Sequence, residues 1–295
     1  MRRFVGQFLI LLCTLIWGTA FLAQKSVCGC LGPFAVTSVR NILAGFFLAG
    51  WVAVLGRRVR PERVELVGGA WSGVVLFAAM VTQQLGIETV TPGVSAFLTA
   101  NYILFVPLVA WAFGRGRPRL WAVFCAAVAL AGTFLICLSG ADLADFRFGR
   151  GESWTLLCAA LFAVQILVVD HYAARHAGRC DVLRFSMVQV VTAGLCSAPF
   201  MLLGSERAFL TAANLKAGVL PVLYLGIMSS GIAYTLQNLG QARTAPAVAS
   251  IIMSFESVVG AVSGYLYFGD VLSAAQIAGC GLVFAAILLS QRQGR

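Results

Sequence analysis

Two ionisable side chains interrupt long apolar stretches of the sequence and could do chemistry there. Glu256 lies about twelve residues into the run 245–268, and Arg40 lies about seven residues into the run 34–55. A charge at the centre of a bilayer costs roughly 2.5–3.5 kcal/mol on insertion scales, so each side chain needs a partner, a water-filled cavity or a substrate. Glu256 could bind a cationic group or a coupling proton, and Arg40 could hold a carboxylate through two hydrogen bonds. In a purely structural role, the two would pair with each other or bind neighbouring hydroxyls.

Further polar and aromatic side chains lie near the middle of apolar runs and could line a cavity together with these two. They are Trp17, Asn101, Gln165 and Tyr234. For each aromatic residue, packing against a neighbouring helix is the alternative to contact with a ligand. The sequence thus offers a set of candidate site residues that only helices crossing at a common depth could bring together.

The composition shows what kind of chain must position these residues. Of its 295 residues, 60% are hydrophobic and only 11% are charged, and the mean hydropathy is +0.91. Soluble domains carry roughly 25% charged residues. A soluble globule could not bury so much apolar surface, which excludes a cytosolic enzyme, a disordered chain and a secreted disulfide scaffold. A polytopic membrane protein remains.

The apolar runs have the length that a membrane requires. A helix of about 20 residues, rising about 1.5 Å per residue, covers the roughly 30 Å of hydrocarbon in a bilayer. Ten such runs are found at residues 5–24, 34–55, 66–87, 92–113, 119–139, 153–170, 181–203, 215–238, 245–268 and 271–290. We therefore predict an all-α integral membrane protein with ten transmembrane helices.

The basic residues predict the orientation of these helices. The formal net charge is +10, and 15 of the 21 Lys and Arg residues fall at the termini and in the even-numbered loops, against 5 on the other side. Because cytoplasmic loops carry the excess of Lys and Arg, both termini are expected in the cytoplasm, in a multi-pass protein of the plasma (inner) membrane. The arginines stand in short clusters between apolar runs, so a nucleic-acid partner is not expected.

An internal repeat divides the sequence. A shift of 154 residues aligns Gln83–Gly86 with Gln237–Gly240 and Pro92 with Pro246, and a shift of 145 aligns 11–13 with 156–158. The predicted units are residues 1–145 and 146–295, with five helices each. Since five is odd, the second unit enters the membrane from the opposite side, which gives the inverted repeat common in secondary transporters.

The repeat relates the candidate residues of the two halves. The shift of 154 places Tyr102 at the position equivalent to Glu256, and a shift of 149 places Gln189 at the position equivalent to Arg40. Both halves therefore offer polar groups at related depths, and Tyr102 and Gln189 join the candidate site.

Three stretches of the sequence carry a resemblance to a known family. They are Leu15–Phe21 in the first helix, Pro92–Leu98 opening the fourth, and Ala249–Ser257 in the ninth, the last continuing through 264–270 to 276–279. With these motifs the chain resembles the drug/metabolite transporter superfamily, in its EamA-type ten-helix branch. Ser257 stands where the family usually has Pro, and Gly269-Asp270 replaces its Gly-Glu. The resemblance covers nearly the whole chain.

The resemblance implies a function. It implies a secondary active transporter of a small metabolite, an amino acid or related compound, that works by alternating access and exports its substrate. A flippase for a lipid or lipid-linked substrate is the alternative, since the family includes such members. Gly260 and Gly264 could serve helix packing within a monomer or, alternatively, a homodimer.

An intramembrane enzyme is the least favoured interpretation. Ser229-Ser230-Gly231 resembles a serine nucleophile turn, but the two histidines, His171 and His176, lie at a loop. No His-Glu-x-x-His or Gly-Lys-Ser/Thr motif is present, so catalytic residues, a metal and a cofactor are not predicted, and ATP is not expected as the direct energy source.

Overall fold

A computed structural model describes residues 2–138, 149–176, 178–268 and 273–290. The predicted boundary between the units at residue 145 and the family motif at Gly269-Asp270 lie outside the described residues.

The described part of the chain forms ten apolar helices. We number them α1 (Arg2–Val27), α2 (Pro33–Val54), α3 (Arg63–Thr89), α4 (Pro92–Ala112, interrupted at Asn101), α5 (Leu120–Leu138), α6 (Arg150–Ala174), α7 (Val182–Leu203), α8 (Ala212–Gln241), α9 (Pro246–Met253 and Phe255–Phe268) and α10 (Ala274–Ser290). Seven of them are long and apolar enough to cross a membrane, and α5, α9 and α10 are shorter apolar helices. Each coincides with one predicted run, so the prediction of an all-α fold with ten transmembrane helices is confirmed.

Local sequence signals set several helix starts. Pro33, Pro92 and Pro246 occupy the first turns of α2, α4 and α9, where a missing N–H costs nothing because the first-turn donors have no partner within the helix. Thr91 accepts a hydrogen bond from the N–H of Val94. These signals turn the chain at the membrane surfaces.

The helices pack in pairs that the inverted repeat relates. α1 packs on α8 as α6 packs on α3, and α2 packs on α8 as α7 packs on α3. α2 and α7 contact each other, as do α5 and α10, and both of these pairs join helices in equivalent positions of the two halves. The predicted arrangement of two inverted five-helix repeats is thus the arrangement of the bundle.

Two pairs of glycines, each with one glycine in each half, make equivalent close contacts between helices. A Cβ built on Gly86 in α3 would lie 3.0 Å from the carbonyl oxygen of Gly151 in α6, and a Cβ built on Gly240 in α8 would lie 2.6 Å from that of Gly6 in α1. The shift of 154 relates Gly86 to Gly240, and the shift of 145 relates Gly6 to Gly151. Both halves therefore use the same close helix approach, which a side chain would block.

A buried ionic cluster joins α3 to α7 at the membrane face that carries the termini. The carboxylate of Glu65, fully buried, accepts bonds from Arg184 Nε and Nη2, each at 2.8 Å, and from the backbone N–H groups of Asp181 (2.7 Å) and Glu62 (2.8 Å). At the opposite face, the carboxylate of Glu206 accepts the N–H groups at the start of α2. Each face thus has a carboxylate that holds the first turn of a central helix.

We predict that Glu65→Ala destabilises the fold strongly. The substitution leaves the Arg184 guanidinium and two backbone donors without their acceptor, so the loss should reach about 3 kcal/mol. Glu62→Gln is the control, because the Glu62 carboxylate is mostly exposed and 3.6 Å from Arg184, and such pairs contribute at most about 1 kcal/mol. Unfolding of the detergent-purified variants measures both. Equal loss in the two variants would contradict the assignment.

Candidate functional site

A cavity lies between the two halves at the centre of the bundle. Its volume is about 40 Å³, which gives room for about three water molecules. The lining residues are Trp17, Ala20, Phe21, Gln24, Arg40, Gln83, Thr99, Tyr102, Phe162, Ile166, Ser229, Tyr234, Gln237, Met253 and Glu256. They come from α1, α2, α3, α4, α6, α8 and α9, so both repeats contribute.

Most of the lining consists of residues that the repeat relates to one another. The shift of 145 pairs Trp17 with Phe162 and Phe21 with Ile166, and the shift of 154 pairs Gln83 with Gln237, Thr99 with Met253 and Tyr102 with Glu256. Equivalent residues can face one cavity from both halves only if the cavity lies on the axis that relates the halves. The cavity is therefore placed where an exchange of conformations between the halves would open it to either side.

Glu256 and Tyr102 meet across this axis. Tyr102 Oη donates to Glu256 Oε1 at 3.0 Å, and both side chains are buried. Each follows an interruption in its helix, at Asn101 in α4 and at Ser254 in α9. The other carboxylate oxygen, Oε2, accepts no hydrogen bond from any residue that the structure describes. It is therefore available to a ligand or a proton.

Arg40 binds hydroxyls of α8 instead of a carboxylate. Its Nε donates to Ser230 Oγ at 2.9 Å and its Nη2 donates to Ser229 Oγ at 2.8 Å. Both serines lie in the π-helical segment Leu225–Ala233, and π-helical segments are frequent at functional sites. Among the ion pairs of the described residues, none joins Arg40 to Glu256 or to any other acid. Within the described part of the chain, the guanidinium thus has no acid partner, and Nη1 is a further donor.

Two aromatic side chains form the wall beside Arg40. Trp17 and Tyr234 contact edge to face, with ring centroids 4.9 Å apart, and Trp17 Nε1 donates to the carbonyl oxygen of Ser229 at 3.4 Å. Edge-to-face contact is a favoured geometry for aromatic pairs. The wall is therefore apolar over its rings and held in place by a hydrogen bond.

The structure brings five of the eight predicted site residues to the cavity and leaves three outside its lining. Trp17, Arg40, Tyr102, Tyr234 and Glu256 line it. Asn101 donates to the carbonyl oxygens of its own helix, at Phe97 and Leu98; Gln165 accepts from Gln237 at 3.2 Å; and Gln189 accepts from Asn238 at 2.6 Å. Gln165 and Gln189 thus face neighbouring helices, whereas the side chain of Asn101 bonds back to its own helix.

Sequence reasoning missed several lining residues. Gln83 and Gln237 stood in the repeated Gln-Gln and Gln-Asn motifs, so the repeat itself was a signal for them. Thr99, Phe162 and Met253 carry no signal of their own, although each is equivalent to another lining residue in the other half.

The fold and the cavity together define a class of protein. Inverted five-helix units around a polar cavity at the repeat interface are the architecture of a membrane transporter. The chain belongs to the EamA-like transporter family, which it matches over residues 4–138 and again over residues 149–291. The predicted family is confirmed.

Three relatives share most of their length with this chain. An uncharacterized transporter of Archaeoglobus fulgidus is 24% identical over 292 residues, covering 98% of this chain and 86% of that protein. The threonine/homoserine exporter RhtA of Escherichia coli is 27% identical, covering 92% and 85%. The uncharacterized inner membrane transporter YedA of Escherichia coli is 24% identical, covering 93% and 87%.

The fold is also found in a solved structure. A crystal structure of another protein superimposes on this chain with a TM-score of 0.77 and 20% sequence identity. The superposition covers 100% of this chain and 99% of that one. At this identity the likeness concerns the fold alone, and it supports the ten-helix arrangement described above.

We predict that the double substitution Ser229→Ala/Ser230→Ala destabilises the protein, because it leaves the buried Arg40 charge without two acceptors. Hydrogen bonds to charged groups contribute about 1.5–3 kcal/mol each, so the loss should be several kcal/mol. Ser250→Ala is the control, since its hydroxyl bonds only to a carbonyl of its own helix. Thermal unfolding in detergent measures the difference. A double variant as stable as the control would show that the serines are not needed to hold Arg40.

Proposed function

We propose that this protein is a secondary active transporter of a small zwitterionic metabolite, an amino acid or a related compound. The observation that carries the proposal is that the central cavity presents a guanidinium and a carboxyl group that are not paired with each other. A substrate with a carboxylate and an ammonium group would satisfy both, since Arg40 Nη1 can donate to the carboxylate and Glu256 Oε2 can accept from the ammonium. The name of the relative RhtA, a threonine/homoserine exporter, supports this substrate class.

The position of the cavity supports transport by alternating access. Because the cavity lies between two units of similar sequence and opposite orientation, an arrangement of one unit that opens it to one face has a counterpart that opens it to the other. At about 40 Å³ the cavity holds only a few waters, so a substrate enters when the bundle opens. Gln24 and Gln83 extend its lining toward the face opposite the termini.

A line of buried amides supports an opening toward the face of the termini. Among the residues that the structure describes, Gln237 Oε1, both side-chain polar atoms of Gln241 and, near the start of α1, Gln7 Nε2 have no hydrogen-bond partner. Each such atom costs about 1–3 kcal/mol when it is left without a partner. Water entering between α8 and the neighbouring helices α1 and α6 would satisfy these atoms. The amides therefore mark the route that the open bundle would offer to a polar solute.

Orientation and energy source complete the proposal. The excess of Arg at the face of the termini supports a cytoplasmic position for that face, in a cell whose inner membrane would hold the protein. Export would then run from the amide-lined side to the side of Gln24. A proton bound at Glu256, or the gradient of the substrate itself, would drive the cycle.

The proposal is tested with purified protein in liposomes loaded with labelled amino acids. We predict that threonine or homoserine efflux is measurable, and that Arg40→Gln and Glu256→Gln each lower it at least tenfold while the protein stays folded. Arg58→Gln and Glu152→Gln, which change exposed or boundary residues far from the cavity, serve as matched controls. Full transport by Glu256→Gln would refute the role of the cavity.

Two further measurements separate the alternatives. Comparing the metabolites released by cells with and without the gene identifies the substrate without a preselected set of candidate compounds. Movement of a labelled lipid between leaflets, with no movement of amino acids, would favour a flippase instead.

We predict that Gln241→Leu changes stability and transport in opposite directions. The substitution removes two buried polar atoms that have no partner, so the closed bundle gains about 1 kcal/mol or more. It also makes the proposed route apolar, so transport should fall several-fold. Gln84→Leu is the control, because Gln84 Nε2 donates to the Gln24 carbonyl and that substitution should lower stability. Gln241→Leu with unchanged transport would remove this residue from the route.

A further inference from the structure

Two grooves open side by side where α4, α5, α6 and α9 reach the face of the termini. One, between α4 and α6, has a volume of about 450 Å³ and the other, between α4, α5 and α9, a volume of about 420 Å³. Arg115 and Leu167 line both, so the grooves share a wall. They are separate from the central cavity, since no lining residue is common to the grooves and that cavity.

The grooves concentrate positive charge. Arg115 and Arg175 line the first, and Arg115, Arg117 and Arg119 line the second. Arg115 is neutralised in part, because it forms an ion pair with Asp170. The other three arginines form no ion pair with any acid in the described residues, and the lining of neither groove includes an Asp or Glu. An anion entering the second groove would therefore meet the guanidinium groups of Arg117 and Arg119, and that of Arg175 lines the adjoining groove.

Below the arginines the walls are apolar. Val164 and Val168 continue the first groove along α6, and Pro107 and Ala110, both partly exposed, continue the second along α4. Both helices are long and apolar enough to cross a membrane. A small soluble anion would use the arginines but would leave the apolar walls uncovered.

Aromatic side chains place the arginines at the level of the lipid headgroups. Trp111 and Phe113 at the end of α4, and Trp121 at the start of α5, are exposed on the outer surface of the bundle beside the loop that carries Arg115, Arg117 and Arg119. Trp is enriched at the boundary between hydrocarbon and headgroups. The grooves thus run from this boundary into the hydrocarbon layer.

We propose that these grooves bind one anionic phospholipid, with its phosphate at Arg117, Arg119 and Arg175 and its acyl chains along the apolar walls. Basic pockets between transmembrane helices are a recurring form of lipid headgroup site. Because the second groove is lined by both α4 and the first turn of α9, the bound lipid contacts the two interrupted helices that carry Tyr102 and Glu256. The site is independent of the substrate of the central cavity.

The test measures lipid binding to the purified, delipidated full-length protein by native mass spectrometry. Phosphatidylglycerol should bind with a stoichiometry of one at low concentration, and phosphatidylcholine at least tenfold more weakly. Arg117→Gln/Arg119→Gln should weaken phosphatidylglycerol about 30-fold, which corresponds to about 1 kcal/mol for each arginine removed. Arg58→Gln/Arg60→Gln removes two exposed charges from another loop of the same face and should leave binding unchanged.

Three results would overturn the proposal. Equal loss of binding in the two double variants would mean a diffuse attraction to the whole basic face. Equal binding of phosphatidylcholine would mean that the phosphate charge is not selected. Displacement of phosphatidylglycerol by glycerol 3-phosphate at equal concentration would mean that the grooves bind a soluble phosphate and that the apolar walls contribute nothing. Thermal unfolding of each variant, run in parallel, confirms that the compared proteins are folded.

Discussion

The cost of holding a charge inside a bilayer governs the centre of this protein. Arg40 and Glu256 lie in surroundings where water cannot solvate them freely, so the bundle must supply acceptors to the one and a donor to the other. Two serines of α8 and one phenol of α4 do so. Because these groups come from different helices and from both repeats, the charges can be satisfied only when the two halves are assembled around them. The cavity lies between Arg40 and Glu256, which are not hydrogen-bonded to each other.

At each face of the membrane, a carboxylate likewise accepts hydrogen bonds from donors of another helix. At the face of the termini, Glu65 holds the start of α7 with the help of Arg184, whereas at the opposite face Glu206 holds the start of α2 through backbone groups alone. The two carboxylates act on equivalent first turns. Glu65 is bound by a charged partner, whereas Glu206 forms no ion pair with any residue that the structure describes. Under the proposed alternating access, the two faces would therefore open at different cost, which is a physical basis for favouring one open side over the other.

Much of this architecture could be predicted from the sequence. The thickness of the hydrocarbon layer sets the length of each apolar run, and the arginines are concentrated at the termini and in every second loop between the runs. The number of helices, the repeat and the equivalence of Tyr102 with Glu256 follow from patterns in one chain. The identity of the lining is harder, since depth does not fix the direction of a side chain around its helix. Gln189 and Gln165 lie at suitable depths but face neighbouring helices, and Arg40 binds serines that a pattern could not assign to it. The π-helical segment of α8, which places both serines toward Arg40, has no sequence signature.

The hydrogen bond between Tyr102 and Glu256 joins positions that are equivalent in the two repeats, and this has a consequence for how such a bond can arise. In an assembly of two identical five-helix chains, the same residue would occupy both positions. Two glutamates would then repel each other unless they shared a proton, and two tyrosines would offer no carboxylate. An acid opposite a phenol requires two halves that differ in sequence, as the halves of this single polypeptide do, and could not exist in a homodimer of identical halves.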